Sequence, residues 1–178
     1  MFFIYQILIL LIIFLSPIIV VVRLFKNKEH KTRFIEKFCF FTTKRRKGNL
    51  IWVHAASVGE FKSIDYLINT FFEKYTLLIT TTTVSAANYA ERYYSDKIIH
   101  QFAPLDIFIW VKKFLNYWKP TLIIWIESDL WPTTLNIIKK QNINSILINL
   151  RMSPKSFKRW KKFPSFYIQT ISCFSRIY

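Results

Sequence analysis

The chain has 178 residues, 52% of them hydrophobic, enough for one domain with a substantial core. Its net charge of +16 draws polyanions: nucleic acid, an anionic membrane surface or a phosphorylated substrate. Cys39 and Cys173 show no C-x-x-C spacing and no neighbouring histidine cluster, which speaks against a zinc site or a disulfide framework.

Met1–Val22 contains no charged residue, and as a helix it would span roughly 33 Å, about the hydrocarbon thickness of a bilayer. Neither a basic start nor a small-residue cleavage site marks it as a secretory signal, so 1–22 reads as a membrane-anchor helix that either crosses the bilayer or lies in its surface. Residues 23–49 form a basic juxtamembrane collar that includes Arg23, Lys26, Lys28, Lys31, Arg33, Lys37 and the run Lys44–Lys47, against only Glu29 and Glu36. Such a collar holds the body on the cytoplasmic face and against anionic head groups, at about 1 kcal/mol per well-placed cation.

From residue 50 onward, strand and helix patterns alternate. Leu50–Ala56 reads as a buried strand and Val58–Tyr75 as a helix, with Phe61, Ile64, Leu67, Ile68 and Phe71 recurring at three- and four-residue steps. Thr76–Thr81 is the second strand, followed by a helix over about Ser85–Tyr94 with Ser85 as its N-cap. Lys97–Phe102 is the third strand, and Ile107–Trp118 is a helix stopped by Pro120. Thr121–Ile126 is the fourth strand, Pro132 opens the next helix, and Asn144–Leu150 is the fifth strand. The pattern predicts a Rossmann-like, doubly wound α/β domain over 50–178, with ligands beyond the carboxyl ends of its strands.

Polar residues gather at those ends. The first strand runs into His54-Ala55-Ala56-Ser57-Val58-Gly59-Glu60, where small residues leave room and Gly59 is one of two glycines in the chain. Glu60 either favours the helix dipole or faces the crevice as a proton acceptor. Thr81 and Thr83, in the four-threonine run after the second strand, suit an anion or sugar, although capping and strand propensity account for part of that run. After the fourth strand, Glu127 and Asp129 are two carboxylates of which an N-cap explains one, read as Asp129 unless Ser128 caps. Arg151 and the basic run Lys155, Lys158, Arg159, Lys161 and Lys162 suit phosphate groups or a solvated face. His54 has no partner at metal-ligand spacing and reads as structural.

In order and spacing, "HAASVGE" (54–60), "TTTTVSA" (80–86), "APLD" (103–106), "WIESDLWP" (125–132) and "NLRMSPKS" (149–156) resemble the 3-deoxy-D-manno-octulosonic acid (Kdo) transferases over essentially the whole chain. The resemblance implies a GT-B glycosyltransferase of two Rossmann-like domains. The amino domain takes the lipid A precursor and the carboxyl domain takes CMP-Kdo, with inverting, metal-independent transfer in lipopolysaccharide core biosynthesis and no cofactor besides the donor substrate. The family's general base falls on Glu60 and its second essential glutamate on Glu127. Ser57, Gly59 and Arg151 also match, as binding positions. The chain departs from the family pattern at Ala86, at Asp129, one methylene shorter than the family's glutamate, and at Leu150 and Met152.

Compared with the family, the chain stops at Tyr178 before the amino domain finishes, and the donor-binding domain is absent. A split gene, a second chain supplying the donor half or a partial sequence each account for that. The implied location is the bacterial inner membrane, through a single N-terminal anchor. The alternatives are a non-catalytic membrane-bound module that binds the lipid A precursor, or an inactive gene fragment. A nucleic-acid partner is not expected, because much of the charge sits beside the anchor and no recognition motif appears.

Overall fold

The structure, a computed structural model, describes residues 5, 7, 9, 16–26, 28–127 and 129–178. Ser128 and much of the expected 1–22 anchor lie outside the described residues. Helix α1, Ser16–Phe25, runs past the expected anchor boundary into the basic segment. Among the described residues, no helix is long and apolar enough to cross a membrane.

The body is a six-stranded parallel sheet, in the order β3-β2-β1-β4-β5-β6. Its strands are β1 Leu50–His54, β2 Thr76–Thr81, β3 Ile99–Phe102, β4 Leu122–Ile126, β5 Asn144–Ile148 and β6 Arg176–Ile177. Between them lie α2 Val58–Ser63, α3 Asp65–Phe71, α4 Val84–Tyr94, α5 Phe108–Trp118, α6 Pro132–Lys140, α7 Pro154–Trp160 and α8 Pro164–Ile171. Alternation along each strand feeds two cores, as expected of a parallel sheet covered on both faces. Trp52, Trp125 and Leu147 pack with Phe114 and Trp118 of α5 and Leu135 of α6. On the other face Ile51, Val53, Ile79 and Ile124 pack with Phe61 of α2, Ile68 of α3 and Tyr94 of α4.

The expected Rossmann-like sheet is present, with three local differences. The long helix breaks at Ile64 (φ −105°, ψ 6°). There the Ser63 hydroxyl donates to the Glu60 carbonyl (2.6 Å), the acceptor that the Ile64 N–H would use in a continuous helix, and Ile64 N donates instead to the Phe61 carbonyl. Helix α4 is capped by Thr83 rather than Ser85, the Thr83 hydroxyl accepting from Ala86 N at 3.3 Å. Beyond residue 150, where only a basic run was read, the chain adds α7, α8 and the sixth strand.

The basic collar is partly neutralised from within. Glu36, fully buried, takes a two-pronged bond from Arg33 (2.8 and 3.1 Å) and further bonds from Thr42 Oγ1 and Phe102 N, tying the segment to the end of β3. Glu29 pairs with Lys37 (2.7 Å) and Arg23 (3.1 Å). Lys26, Lys28, Lys31, Lys44, Arg46 and Lys47 stay exposed.

Helix α6 is not capped by Asp129. Its N-cap residue, Trp131, makes no side-chain cap bond, and the carboxylate at the helix start belongs to Asp106, from the loop after β3. Asp106 accepts from Thr133 N (2.9 Å), Thr134 N (2.6 Å), the Thr134 hydroxyl (2.6 Å) and the Tyr5 hydroxyl (2.7 Å). Hydrogen bonds to a buried charge are the strong ones, so Asp106→Ala is expected to lower stability by about 3 kcal/mol and Asp106→Asn by about half of that, read from urea unfolding midpoints. An alanine variant as stable as the parent would remove Asp106 as the cap.

Candidate active site

β1 lies between β2 and β4 in the sheet, so the chain reverses direction of build at the β1–β4 pair. The corners after those two strands therefore stand side by side where the crevice of such a sheet opens. The first corner is stitched to β2: Ala55 N donates to the Thr80 carbonyl, and both Thr82 N and its hydroxyl donate to the Ala56 carbonyl. Buried Ala55 and Ala56 leave no bulk at the turn.

Ser57 caps α2, its hydroxyl oxygen accepting from Glu60 N at 3.3 Å. The Glu60 carboxylate reaches back to accept from Ala56 N (2.7 Å) and from the Ser57 hydroxyl (3.2 Å), a capping box shifted by one residue. Glu60 is 9% exposed and its carboxyl titrates above the usual carboxylate range. Burial is the main cause. It outweighs the Ala56 N–H, the His54 ring and the Ser57 hydroxyl, and the charge of Asp129 adds to it.

A cleft of about 940 Å³ opens beside Glu60. It is lined by Ser57, Glu60, Thr82, Thr83 and Asp129 from the strand-end corners, by Ser156, Arg159, Trp160, Lys162, Phe163 and Phe166 of the α7–α8 segment, and by Tyr5. Burial pushes the Asp129 carboxyl upward, but the nearby His54 ring and Trp131 outweigh that and leave it below its usual range. Its Oδ2 lies 3.6 Å from His54 Nε2. Trp125 Nε1 donates to the Asp129 carbonyl (2.8 Å) and fixes the loop.

The remaining expected site residues lie elsewhere. Thr81 is fully buried with its hydroxyl 3.0 Å from His100 Nε2, so it does not line the cleft. Burial, with the Arg33 guanidinium beside it, pushes His100 down to about 3. Gly59 is exposed on α2, and a Cβ there would meet only Ser57 Oγ at 3.8 Å, so the backbone does not require glycine at this point. Glu127 adopts a left-handed conformation (φ 59°), its N–H donating to the Ile148 carbonyl and its Oε1 accepting from Asn149 Nδ2 at 3.4 Å. Arg151 is exposed and donates to Asn149 Oδ1 (3.1 Å). Glu127, Asn149 and Arg151 thus form a separate chain at the β4 and β5 ends.

Sequence reading missed Tyr5, Thr82 and the aromatic residues of α7–α8. The signal for the latter was present: Ser156, Arg159, Trp160 and Phe163 recur at three- and four-residue steps, one helical face. Of the basic run, only Arg159 and Lys162 line the cleft. Among the described residues, no group of three or more His, Cys, Asp or Glu is placed to hold a metal ion, and both cysteines are buried and free.

The family described as 3-deoxy-D-manno-octulosonic-acid transferase (kdotransferase) matches residues 32–178. A 3-deoxy-D-manno-octulosonic acid transferase of Rickettsia bellii is 39% identical over 163 residues, covering 90% of this chain and 39% of that protein. A probable mitochondrial enzyme of the same name from Arabidopsis thaliana is 40% identical over 141 residues, 78% of this chain and 32% of that protein. The Haemophilus influenzae transferase is 28% identical over 156 residues, 82% of this chain and 35% of that protein. The chain therefore spans under two-fifths of the length of these relatives.

A carboxyl whose titration point is raised by folding adds stability that is fully present below its unfolded value and lost as pH rises through its folded one. Glu60 therefore costs stability at neutral pH, and Glu60→Gln, which keeps an acceptor for Ala56 N, is expected to melt no lower than the parent at pH 7. The gap should close on acidification to pH 4. A glutamine variant that is clearly less stable at pH 7 would contradict the raised titration of Glu60.

Proposed function

The chain belongs to the 3-deoxy-D-manno-octulosonic acid transferase family, and from that premise we propose that it is the acceptor-side half of an enzyme that moves Kdo from CMP-Kdo to the lipid A precursor, lipid IVA, in lipopolysaccharide core biosynthesis. The observation that carries this reading is the Glu60 carboxylate: buried, held by Ala56 N and the Ser57 hydroxyl, raised in proton affinity, and still open to the cleft. In the proposed step an acceptor hydroxyl gives its proton to Glu60. Its oxygen then attacks the anomeric carbon of Kdo as the bond to the CMP phosphate breaks, and CMP leaves with the bonding electrons. Attack from the face opposite CMP inverts the anomeric centre.

Ser57, Thr83 and Asp129 are proposed to contact the acceptor sugar from the Glu60 side. Arg159 and Lys162 line the same cleft, as suits the phosphates of a lipid A precursor. Gly59 is proposed to leave the rim of the cleft open. Glu127 and Arg151, at the neighbouring strand ends, are proposed to act where the donor half meets this one, and Thr81 to act through the His100 bond that stiffens β2. The donor-binding half is proposed to come from further chain or from a second polypeptide.

The proposed location is the cytoplasmic face of a bacterial inner membrane, with residues 1–22 as the anchoring segment. Supporting it, α1 exposes Ile18, Val21, Val22 and Phe25 beside the exposed Lys26, Lys28 and Lys31.

The test is transfer of labelled Kdo to lipid IVA by membranes carrying this chain, with and without the other membrane proteins of the source cell. Transfer that requires Glu60 is expected, and Glu60→Gln should lower the rate by about 10²- to 10⁴-fold while acceptor binding persists. Acceptor binding without transfer under any condition would leave a lipid-binding module instead. Glu127 offers a separate check, because its left-handed backbone is strained for any residue but glycine. Glu127→Gly is expected to keep stability or raise it by up to about 1 kcal/mol, yet lower transfer at least about tenfold. Full activity in that variant would confine Glu127 to a backbone role.

A further inference from the structure

His54 is fully buried at the end of β1, and its Nε2 has no hydrogen-bond partner among the described residues although it faces Asp129 Oδ2 at 3.6 Å. An unpartnered polar atom at such depth is costly and calls for an explanation. The rest of the ring is tightly held. Its Nδ1 lies 2.9 Å from Thr80 Oγ1, and the ring packs against Trp125 (centroids 4.3 Å) and Trp131 (5.7 Å).

Thr80 decides where the His54 proton sits. Its buried hydroxyl accepts from Trp52 Nε1 at 2.8 Å, and an indole N–H can only donate. Among the described residues His54 Nδ1 is the acceptor within reach of the Thr80 hydroxyl hydrogen. If Nδ1 carried a hydrogen instead, the Thr80 oxygen would accept from both N–H groups, its own hydrogen would be left without an acceptor among the described residues, and a bare Nε2 lone pair would face the Asp129 carboxylate. With Nδ1 accepting, the imidazole proton lies on Nε2, aimed at Asp129.

We propose that His54 is a positioning residue, locked by the Trp52–Thr80 pair with its hydrogen on Nε2, and that this N–H holds the Asp129 carboxylate in place beside Glu60. The proposal rests on the reading of the cleft as the acceptor site. Asp129 is 42% exposed at its side chain, and without a fixed donor it would turn into solvent. When acceptor fills the cleft and water leaves, the 3.6 Å separation shortens to a hydrogen bond. The titratable groups around the Asp129 carboxylate are His54, Glu60 and Tyr5, with Arg159 and Lys162 lining the same cleft.

The test combines a signature that does not depend on turnover with one that does. The chain labelled with ¹⁵N at its three histidines is studied by long-range proton–nitrogen correlation, and the His54 signals are those absent from His54→Gln. The parent and Thr80→Ser should show the hydrogen on Nε2, whereas Trp52→Phe, which frees the Thr80 hydroxyl to accept, should show mixed tautomers. The Asp129 carboxyl, followed by ¹³C, should titrate higher in His54→Leu than in the parent and stay near the parent in His54→Gln, whose amide keeps a donor. In the transfer assay His54→Leu should lose about tenfold in rate and His54→Gln less than about threefold. A hydrogen on Nδ1 in the parent, or identical Asp129 titration in the leucine and glutamine variants, overturns the proposal. Absence of transfer by the parent, with both spectroscopic results as expected, would instead strike the transferase reading and leave the His54–Asp129 lock standing.

Discussion

Strand β1 pairs with β2 through all five of its residues and with β4 through four of them, and both pairings run parallel. Parallel pairing places the carboxyl ends of the three strands on one edge of the sheet, and the build reverses across β1. Two loops that are 70 residues apart in the chain are thereby forced into contact. His54 and Asp129 meet for that reason alone, as do Glu60 and Asp129. A one-residue slip in either pairing would exchange the faces of β1, turning Trp52 and His54 away from Thr80 and into the core that holds Ile51 and Val53. The hydrophobic alternation that fixes the register is thus also what aims the polar groups.

Around this centre the acidic residues divide by role. Among ten Asp and Glu in a chain of net charge +16, Glu29, Glu36 and Asp106 act as internal ties. Glu36 joins the turn at 33–38 to β3, and Asp106 joins the β3 loop to α6 and to Tyr5. Each is buried and fully hydrogen-bonded, the condition under which a buried carboxylate is tolerable. The ties consume Arg23, Arg33 and Lys37, so the basic surface left for an anionic partner is smaller than composition suggests; it includes the exposed Lys26, Lys28 and Lys31 beside α1 and Arg159 and Lys162 at the cleft.

The strands and most helices were legible in the sequence because apolar periodicity and burial are the same fact seen twice. The place of Glu60 in the first corner, beside the cleft, was legible as well. Other features depend on contacts between residues far apart in the chain and leave no local trace. Asp106 caps a helix that starts 26 residues later, and Asp129, next to that helix, does not. The break at Ile64 follows from one serine hydroxyl competing for one carbonyl. The neighbours of His54, Thr80 and Asp129, come from other strand ends and could not be read from its own stretch of sequence. Within the threonine run, alternation does not separate Thr81 from Thr83, which are two residues apart; Thr81 is buried as the last residue of β2, whereas Thr83 lies beyond the strand and caps α4.

A general base has to be deprotonated at working pH and yet bind a proton well, and around the base proposed at Glu60 opposing influences act on the carboxyl. Burial and the Asp129 charge raise its proton affinity, while Ala56 N–H, the Ser57 hydroxyl and His54 keep the anion accessible. Asp129 can exert that influence only while it stays ionised and close, which its partial exposure alone would not ensure. In the proposed mechanism the balance at Glu60 reaches back through Asp129 and His54 to Thr80 and Trp52, inside the central strands, so the sheet that forms the core would also tune the cleft.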